Sequence, residues 1–311
     1  MSGAARALLR EWLLRQLDAE RGAWLDAQIA ALSKDPSDAA LDIALGMIPR
    51  RLGKAELALG AAELAAAGRA IEGWNPHGWS VTDAARVLVL SGLPAAPQPF
   101  AERFRALCRT ADVAELVALY RGLPLYPDPA ALEEQVGEGL RSNMRGVFEA
   151  IAHHNPYPKA HFDDHRWNHM VLKALFIGSP LAPIQGLDER ANPELARIMC
   201  DFAHERWAAG RPVPFEIWRC VGPFAEARRS TTWGACSRAA RPSSGARRRS
   251  PWPRARTGAR RSCCWKSLRS PRISPASSSP GRACSKLDRN PRGCRHDADR
   301  PARAHDLAYH R

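Results

Sequence analysis

The 311-residue sequence lacks any apolar run of the length that a membrane-spanning helix requires, which is about 20 residues. It also lacks the apolar segment near the first residue that a secretory signal peptide carries, because charged residues interrupt the leucines there. We therefore expect no membrane insertion and no signal peptide, and we expect the protein to be cytoplasmic.

Motifs that mark common enzyme classes are absent too. There is no glycine-rich phosphate loop, no dinucleotide-binding fingerprint, and no nucleophile motif of the Ser/His/Asp or Cys/His kind. Cys108, Cys200 and Cys220 precede the last 84 residues, and their spacing matches no metal site, so they are interpreted as reduced thiols. These absences favour a non-catalytic protein with no cofactor and leave an enzyme as the alternative.

The sequence also has little of the two-residue alternation that marks β-strands. Short segments with apolar residues three and four positions apart follow one another instead, and short loops separate them. This pattern predicts an all-α fold. Because no fixed repeat period is present, a helical bundle and a HEAT-like α-α array both remain possible.

Most of the predicted helices lie in the first half of the chain. Alanine, leucine and glutamate predict a continuous helix over residues 54–70, and Pro49 is expected to end the helix before it. The predicted ranges are 4–32, as one or two helices, and 39–48, 54–70, 84–92, 101–108, 111–121 and 130–153.

Basic charge is confined to the C-terminal part of the chain. The sequence has a net charge of +14, yet residues 228–311 alone contain 22 Lys or Arg against 4 Asp or Glu, so residues 1–227 carry −4. A nucleic-acid function inferred from the overall charge would therefore rest on the tail alone.

Residues 226–311 are rich in Arg, Ser and Pro and poor in apolar side chains, so we expect a disordered tail. We interpret it as the product of a GC-rich gene translated out of frame after about residue 225. A basic arm that binds nucleic acid is the alternative interpretation. On this basis the folded domain spans residues 1–225.

The clearest helix start and stop signals lie just before this tail. One helix is predicted over residues 164–178, with Asp163 or Asp164 as its N-cap. Asn192 followed by proline predicts a second helix. A third, short helix is predicted to begin at Pro214.

Several phrases in this part of the chain resemble the signature of a known family. They are NPYP (155–158), FDDHRWNHMVLKALFIGSPL (162–181), GLDERANPELAR (186–197), DFAHERWAAGR (201–211) and WRCVGPF (218–224). With weaker matches upstream, they make most of residues 1–225 similar to the EboA family, which is encoded in ebo gene clusters.

The resemblance implies a helical accessory protein that takes part in the handling or export of a secondary metabolite, without catalysing a reaction. Its implied partners are other ebo-cluster proteins or a small hydrophobic metabolite. Binding of nucleic acid is not expected, except through the basic tail.

Polar and aromatic side chains within these phrases are candidates for ligand binding. The aromatic ones could line a pocket for a hydrophobic molecule, although core packing is their alternative use. The candidate ligand-binding residues are Asn155, Tyr157, Trp167, Asn168, Lys173, Asp188, Arg190, Trp207, Arg211 and Trp218.

Asp201, His204, Glu205 and Arg206 form a candidate catalytic set. Residues three and four apart share one face of a helix, so a carboxylate–imidazole pair could lie beside an arginine. The alternative is a structural ion network that fastens the loop 186–192 to this helix.

His165 and His169 lie four residues apart, a spacing that allows two imidazoles to bind one metal ion. His161 could supply a third ligand. Because the glutamate of the HExxH motif is missing, solvated surface histidines are the favoured interpretation, and no metal is predicted.

Overall fold

The computed structural model describes residues 3–94 and 98–224. These ranges contain no β-strand beyond two isolated bridges, Glu56–Ser80 and His153–Ile184, so the predicted all-α fold is confirmed. The α-helices are α1 (Gly3–Gln16), α2 (Ala19–Lys34), α3 (Asp38–Leu52), α4 (Ala61–Ala70), α5 (Val81–Ser91), α6 (Phe100–Thr110), α7 (Val113–Arg121), α8 (Glu133–Arg141), α9 (Arg145–Ala152), α10 (Tyr157–His161), α11 (Asp164–Phe176), α12 (Pro193–Ala208) and α13 (Ile217–Val221). Short 3-10 helices span Leu123–Leu125, Pro129–Leu132 and Gly222–Phe224.

The predictions for residues 226–311 lie outside the described residues. They concern the disordered tail, its out-of-frame origin and its alternative use as a nucleic-acid-binding arm. The domain boundary near residue 225 likewise stays a prediction.

Short polar side chains begin several helices. The side chains of Asp18, Ser80, Asp112, Asp163 and Asn192 each accept a hydrogen bond of 2.7–3.1 Å from the backbone N–H three residues later. Such caps satisfy N–H groups that the first turn of a helix leaves without a partner. Asp163 and Asn192 therefore cap α11 and α12 as the sequence predicts.

Helix α3 continues through Pro49 to Leu52, so the predicted end before Pro49 is wrong. Proline removes one N–H group, but its carbonyl still accepts a hydrogen bond, here from the N–H of Gly53 at 3.2 Å. Burial of Leu52 favours the extra turn. Gly53, with φ of 83°, then ends the helix.

Residues 54–60 are extended rather than helical, so the helix predicted over 54–70 is only the shorter α4. The N–H of Leu57 donates to the carbonyl of Trp79 at 2.8 Å, and the N–H of Val81 donates to the carbonyl of Ala55 at 2.8 Å. Intrinsic helix propensity is a weak preference, and this long-range backbone pairing overrides it.

The helix predicted over residues 130–153 is divided into α8 and α9. Lys173 on α11 donates from Nζ to the carbonyl oxygens of Leu140 and Ser142, the latter at 2.8 Å. These carbonyls lie at the end of α8, where no intrahelical donor remains. The lysine therefore stabilises the break that lets the chain turn into α9.

Helix α5 lies at the centre of the fold, with ten of its eleven residues buried. It packs against α1, α3 and α7, α7 packs against α9, and α9 packs against α8. Further along, α11 packs on α12 and α12 on α13. Within the described residues, the main contacts therefore centre on α5 and continue through α7 to α9, with a further series from α11 to α13.

Gly139 allows α8 to approach α7 and α9 closely. A Cβ atom at this position would lie 2.5 Å from Cζ of Tyr120 and 2.7 Å from Cδ1 of Ile151. Both neighbours are buried and cannot move aside freely. Glycine is therefore required here for space rather than for backbone freedom.

Candidate functional site

One concavity in the described part of the chain is a cleft of about 270 Å³ between α3, α5, α6 and α7. Leu45, Leu107 and Leu119 give it apolar walls. The full lining is Asp42, Leu45, Arg86, Leu107, Thr110, Ala111, Glu115 and Leu119. We call this concavity the α5 cleft.

Arg86 places a buried charge in the wall of the α5 cleft. Its residue is only 4% exposed, and Nη2 donates to Oε1 of Glu115 at 2.7 Å. Its Nε makes no hydrogen bond within the described residues. Buried guanidinium groups normally use all their N–H donors in hydrogen bonds. The Nε–H of Arg86 is therefore a donor in the cleft wall that the described part of the protein leaves without a hydrogen-bond partner.

Another concavity is a polar pocket of about 130 Å³ that lies where the loop 73–80 meets the segment after α9. Three of its lining residues are histidines. The full lining is His77, Trp79, Arg121, Glu149, Ala150, His153, His154 and Asn155. We call it the histidine pocket.

His153 is held by groups from α9 and from the loop after α11. Its Nε2 lies 2.9 Å from the carbonyl oxygen of Pro180 and 3.1 Å from Oγ of Ser179. Because a carbonyl can only accept, Nε2 carries the proton and Nδ1 is the basic nitrogen. Ser179 donates in turn to Glu149 Oε1 at 2.7 Å.

That contact pattern differs from a catalytic triad. The carboxylate of Glu149 binds the serine hydroxyl and not the second nitrogen of the imidazole. In a triad the carboxylate orients the histidine, which then removes the serine proton. The arrangement therefore fixes the position of His153 without activating Ser179.

His154 adopts a left-handed backbone conformation, with φ of 54°. The side-chain oxygen of Asn75 accepts from the N–H of His77 at 3.0 Å, which turns its amide nitrogen toward Nδ1 of His154 at 3.4 Å. Nδ1 is then the acceptor, so Nε2 of His154 carries the proton. The ring of His77 lies edge-on to that of His154, at 5.9 Å.

Burial lowers the pKa of both His153 and His154. The Glu149 carboxylate opposes this effect at His153, whereas His153, His77 and Arg121 add to it at His154. The pKa of Glu149 itself is lowered: burial opposes this shift, but hydrogen bonds from Arg145 and Ser179 outweigh it. The two imidazoles are therefore predominantly neutral at pH 7.

Asn155 and Tyr157, two candidate ligand-binding residues, are buried and bound to backbone groups. The amide nitrogen of Asn155 donates to the carbonyls of Tyr120 and Ala150, each at 3.0 Å. The hydroxyl of Tyr157 donates to the carbonyl of Pro129 at 2.7 Å. Of the two, only Asn155 reaches the histidine pocket.

Arg190 and Asp188 do fasten the loop 186–192, but to other helices than α12. Arg190 Nη1 donates to the carbonyl of Phe162 at 2.7 Å, and Nη2 pairs with Asp164 at 2.8 Å. Asp188 binds Arg219 of α13 through two hydrogen bonds, at 3.0 and 2.9 Å. The predicted ion network of this loop with α12 is therefore replaced by contacts to α11 and α13.

The four aromatic candidates do not converge on one pocket. Trp167 is fully buried, with the guanidinium of Arg190 at 4.7 Å from its ring centre. Trp207 and Trp218 stack on each other at 6.3 Å instead. Tyr157 packs on His161, at 4.6 Å.

The remaining ligand candidates are placed in structural contacts. Asn168 on α11 exchanges two amide hydrogen bonds, at 3.2 and 2.9 Å, with Asn192, the cap of α12. Lys173 binds the end of α8, as described above. Arg211 is exposed, and its backbone N–H donates to the carbonyl of Arg206 at 2.8 Å.

The candidate catalytic set lies on α12, and none of its residues lines the α5 cleft or the histidine pocket. Asp201 is half-exposed and pairs with Arg197 at 2.6 Å. His204 contacts the ring of Trp207 at 5.8 Å, and Glu205 is exposed. Arg206 donates to the carbonyl of Pro212 at 3.0 Å.

The metal candidates are divided between two helices. His165 and His169 do approach each other on α11, with ring centres 4.4 Å apart. His161 packs on Tyr157 of α10. Within residues 3–94 and 98–224, no three His, Cys, Asp or Glu side chains are grouped so that they could hold a metal ion.

Cys108, Cys200 and Cys220 are buried, and none of them forms a disulfide bond within the described residues. Burial raises the pKa of both Cys108 and Cys220 to about 12, so these thiols stay protonated at neutral pH. No helix in the part of the chain that the structure describes is long and apolar enough to cross a membrane.

Sequence reasoning did not find either concavity. The lining of the α5 cleft comes from four helices, and each contributes ordinary amphipathic residues. His77, by contrast, lies in the conspicuous phrase GWNPHGWS (73–80), and His153 and His154 directly precede NPYP. Both segments are conspicuous in the sequence because of their histidines, but nothing in the sequence indicated that the two segments lie side by side in the fold.

Comparisons with known proteins give one match. A family described as "Metabolite traffic protein EboA" matches residues 5–222. Neither a curated protein nor a solved structure matches the chain.

Proposed function

We propose that this chain, which belongs to the EboA family, is a non-catalytic accessory protein that binds a small apolar metabolite in the α5 cleft. The match to a family of metabolite traffic proteins supports a role in metabolite handling. The observation that carries the choice of site is the cleft itself, whose apolar walls surround a buried charge pair.

The size of the cleft suits part of a small molecule. Ligand sites commonly have volumes of about 300–1,000 Å³ and combine apolar walls with a few polar groups. The α5 cleft, at about 270 Å³, lies just below this range. The apolar body of a metabolite would pack against Leu45, Leu107 and Leu119.

Charge in the cleft favours a ligand with a hydrogen-bond donor. Arg86 and Glu115 offset each other, whereas Asp42 makes no ion pair or side-chain hydrogen bond within the described residues. One carboxylate is thus left for the ligand. An amine or an N–H group attached to the apolar body would bind it, and a neutral acceptor on the same ligand would satisfy Nε–H of Arg86. A carboxylate would be repelled by Asp42 and Glu115.

Calorimetric titration of the full chain with 4-phenylbutylamine tests this proposal, with 4-phenylbutyrate as the matched anion. We expect saturable binding of the amine and weaker binding of the acid. Ala111→Trp places a large ring in the cleft from the loop between α6 and α7, so it should weaken amine binding by about tenfold, equivalent to about 1.4 kcal/mol.

The matched control is Ala114→Trp, at an exposed position of α7 that does not line the cleft. It should leave the affinity unchanged. If Ala111→Trp bound the amine as tightly as the unaltered chain does, the α5 cleft would not be the site.

A further inference from the structure

A second site lies outside the α5 cleft. We propose that the histidine pocket binds a small oxyanion, such as a carboxylate or a sulfate-like group, and that binding is coupled to proton uptake by His153 and His154. The proposal does not depend on the α5 cleft, because the two concavities share no lining residue.

The donors in the pocket favour an anion. Nε2–H of His154 is free to donate, because Nδ1 is the nitrogen that faces Asn75. Arg121 uses Nη1 to bind Asp83 at 2.7 Å, and a guanidinium has five N–H donors in all. His77 adds a third donor group at the exposed side.

The volume restricts the ligand to a compact group. About 130 Å³ corresponds to about four water molecules, at about 30 Å³ each. A carboxylate or a tetrahedral oxyanion is of this size, whereas the ring system of a larger metabolite is not. A larger molecule could place only its anionic end here.

The fixed charges around the pocket nearly cancel while the imidazoles are neutral. Arg121 is offset by Asp83, and Arg145 on α9 is offset by Glu149, which lines the pocket. A proton taken up by His154 therefore adds positive charge that no neighbouring carboxylate offsets.

The carboxylate of Glu216, which precedes α13, also acts on His153 and opposes the lowering of its pKa. Its two carboxylate oxygens accept from the backbone N–H groups of Leu181 and Ala182, at 3.0 and 2.9 Å. These N–H groups hold Glu216 outside the lining of the pocket. Its negative charge offsets part of the charge of a proton taken up by His153, but it does not act at His154.

The coupling of anion binding to proton uptake predicts the direction in which the pKa values of the two histidines change. Burial lowers the pKa of both histidines in the absence of ligand. A bound anion stabilises the imidazolium, so it must raise these pKa values, and an opposite charge within about 4–6 Å typically does so by about one unit or more. Conversely, while the histidines are neutral, the affinity for the anion should rise by up to about tenfold per pH unit of acidification for each proton bound.

The experiment is a pH titration of the histidine ring signals by NMR, on the labelled full chain, from about pH 5 to pH 8. Sodium sulfate and sodium acetate are each compared with sodium chloride at equal ionic strength. Ring signals report on each histidine separately, so sulfate attracted to the 22 basic residues of 228–311 does not obscure the result. His153→Gln and His154→Asn assign the two signals.

We expect sulfate, acetate or both to raise the pKa of His153 and His154 by about one unit, with no such rise at His165, an exposed residue of α11. A response to acetate alone would identify a carboxylate site, and a response to sulfate alone a tetrahedral-anion site. His77→Gln, at an exposed position, should reduce the rise at His154, whereas His165→Gln should not.

Three results would overturn the proposal. They are an unchanged pKa at both pocket histidines, an equal change at His165, and a stoichiometric response of the pocket histidines to Zn²⁺ in place of any response to the anions. The last result would identify a metal site instead.

Discussion

At the scale of single residues, the buried histidines make stability depend on pH in a definite direction. The folded chain lowers the pKa of His153 and His154 below the ordinary value of 6.5, so between the two values the unfolded chain binds more protons than the folded one. Their contribution to stability is complete above about pH 7.5 and is lost as the pH falls through the folded-state values.

We therefore predict that the free energy of unfolding decreases between pH 7.5 and pH 5.5, measured by urea unfolding in chloride buffer. The double variant His153→Gln/His154→Asn should show a flatter profile over this window. Carboxylates such as Glu149 titrate below it, because their pKa is lowered as well. An equally steep profile in the double variant would contradict the prediction.

Arg190 shows how far residue roles can be predicted from sequence. Its phrase, GLDERANPELAR (186–197), correctly indicated a loop fastened by charged side chains. The partners were wrong, because spacing along the chain reports which residues share a helix face but not which distant element packs beside it. The carbonyl of Phe162 and the ring of Trp167 reach Arg190 only through the tertiary fold.

At the scale of helices, close approach at Gly139 gives a prediction with a matched control. Gly139→Ala would force Cβ into Tyr120 and Ile151, so we expect it to cost about 1–3 kcal/mol despite the better helix propensity of alanine. Gly68→Ala, within α4, meets no atom within 4 Å and should instead stabilise the chain by about 0.5–1 kcal/mol.

Chemical unfolding of both variants measures whether the free energy of unfolding falls in Gly139→Ala and rises in Gly68→Ala. Stabilisation by Gly139→Ala would show that α7, α8 and α9 do not pack as closely as described. A loss at Gly68→Ala similar to that at Gly139→Ala would attribute the effect to α-helical glycines in general.

The presence of a helix could be predicted from the sequence far better than the residues at which it begins and ends. Caps such as Asp163 and Asn192 are local signals, because a side chain bonds a backbone N–H only three residues away. The limits near residues 54–60 and at the α8–α9 break depend instead on Trp79 and Lys173, which are distant in sequence. The short α10 was not predicted; Pro156 precedes it and Pro158 lies in its first turn.

At the scale of the whole molecule, one continuous core joins residues from Ala5 in α1 to Val221 in α13. Val87 of α5 is fully buried near the centre of this core. We expect Val87→Ala to cost about 2 kcal/mol through the cavity that it leaves. Because the core is continuous, the loss should appear equally at both ends of the described chain.

Fluorescence of Trp12 and of Trp218, each observed after the other tryptophans are replaced by phenylalanine, provides the two probes. Their unfolding midpoints should shift together in Val87→Ala, as expected for a cooperative transition. Separate midpoints would indicate that the helices before and after α7 unfold independently.

The packing order of the helices also bears on synthesis at the ribosome. When α5 emerges, α1 and α3 have already been made, and α7 and α9 then find their preceding neighbour in place. Contacts that close over short stretches of chain form quickly, since little loop entropy opposes them. Helices α7 and α9 can therefore dock soon after they are made, whereas the face of α1 that contacts α5 stays uncovered until the chain beyond Val81 has been translated.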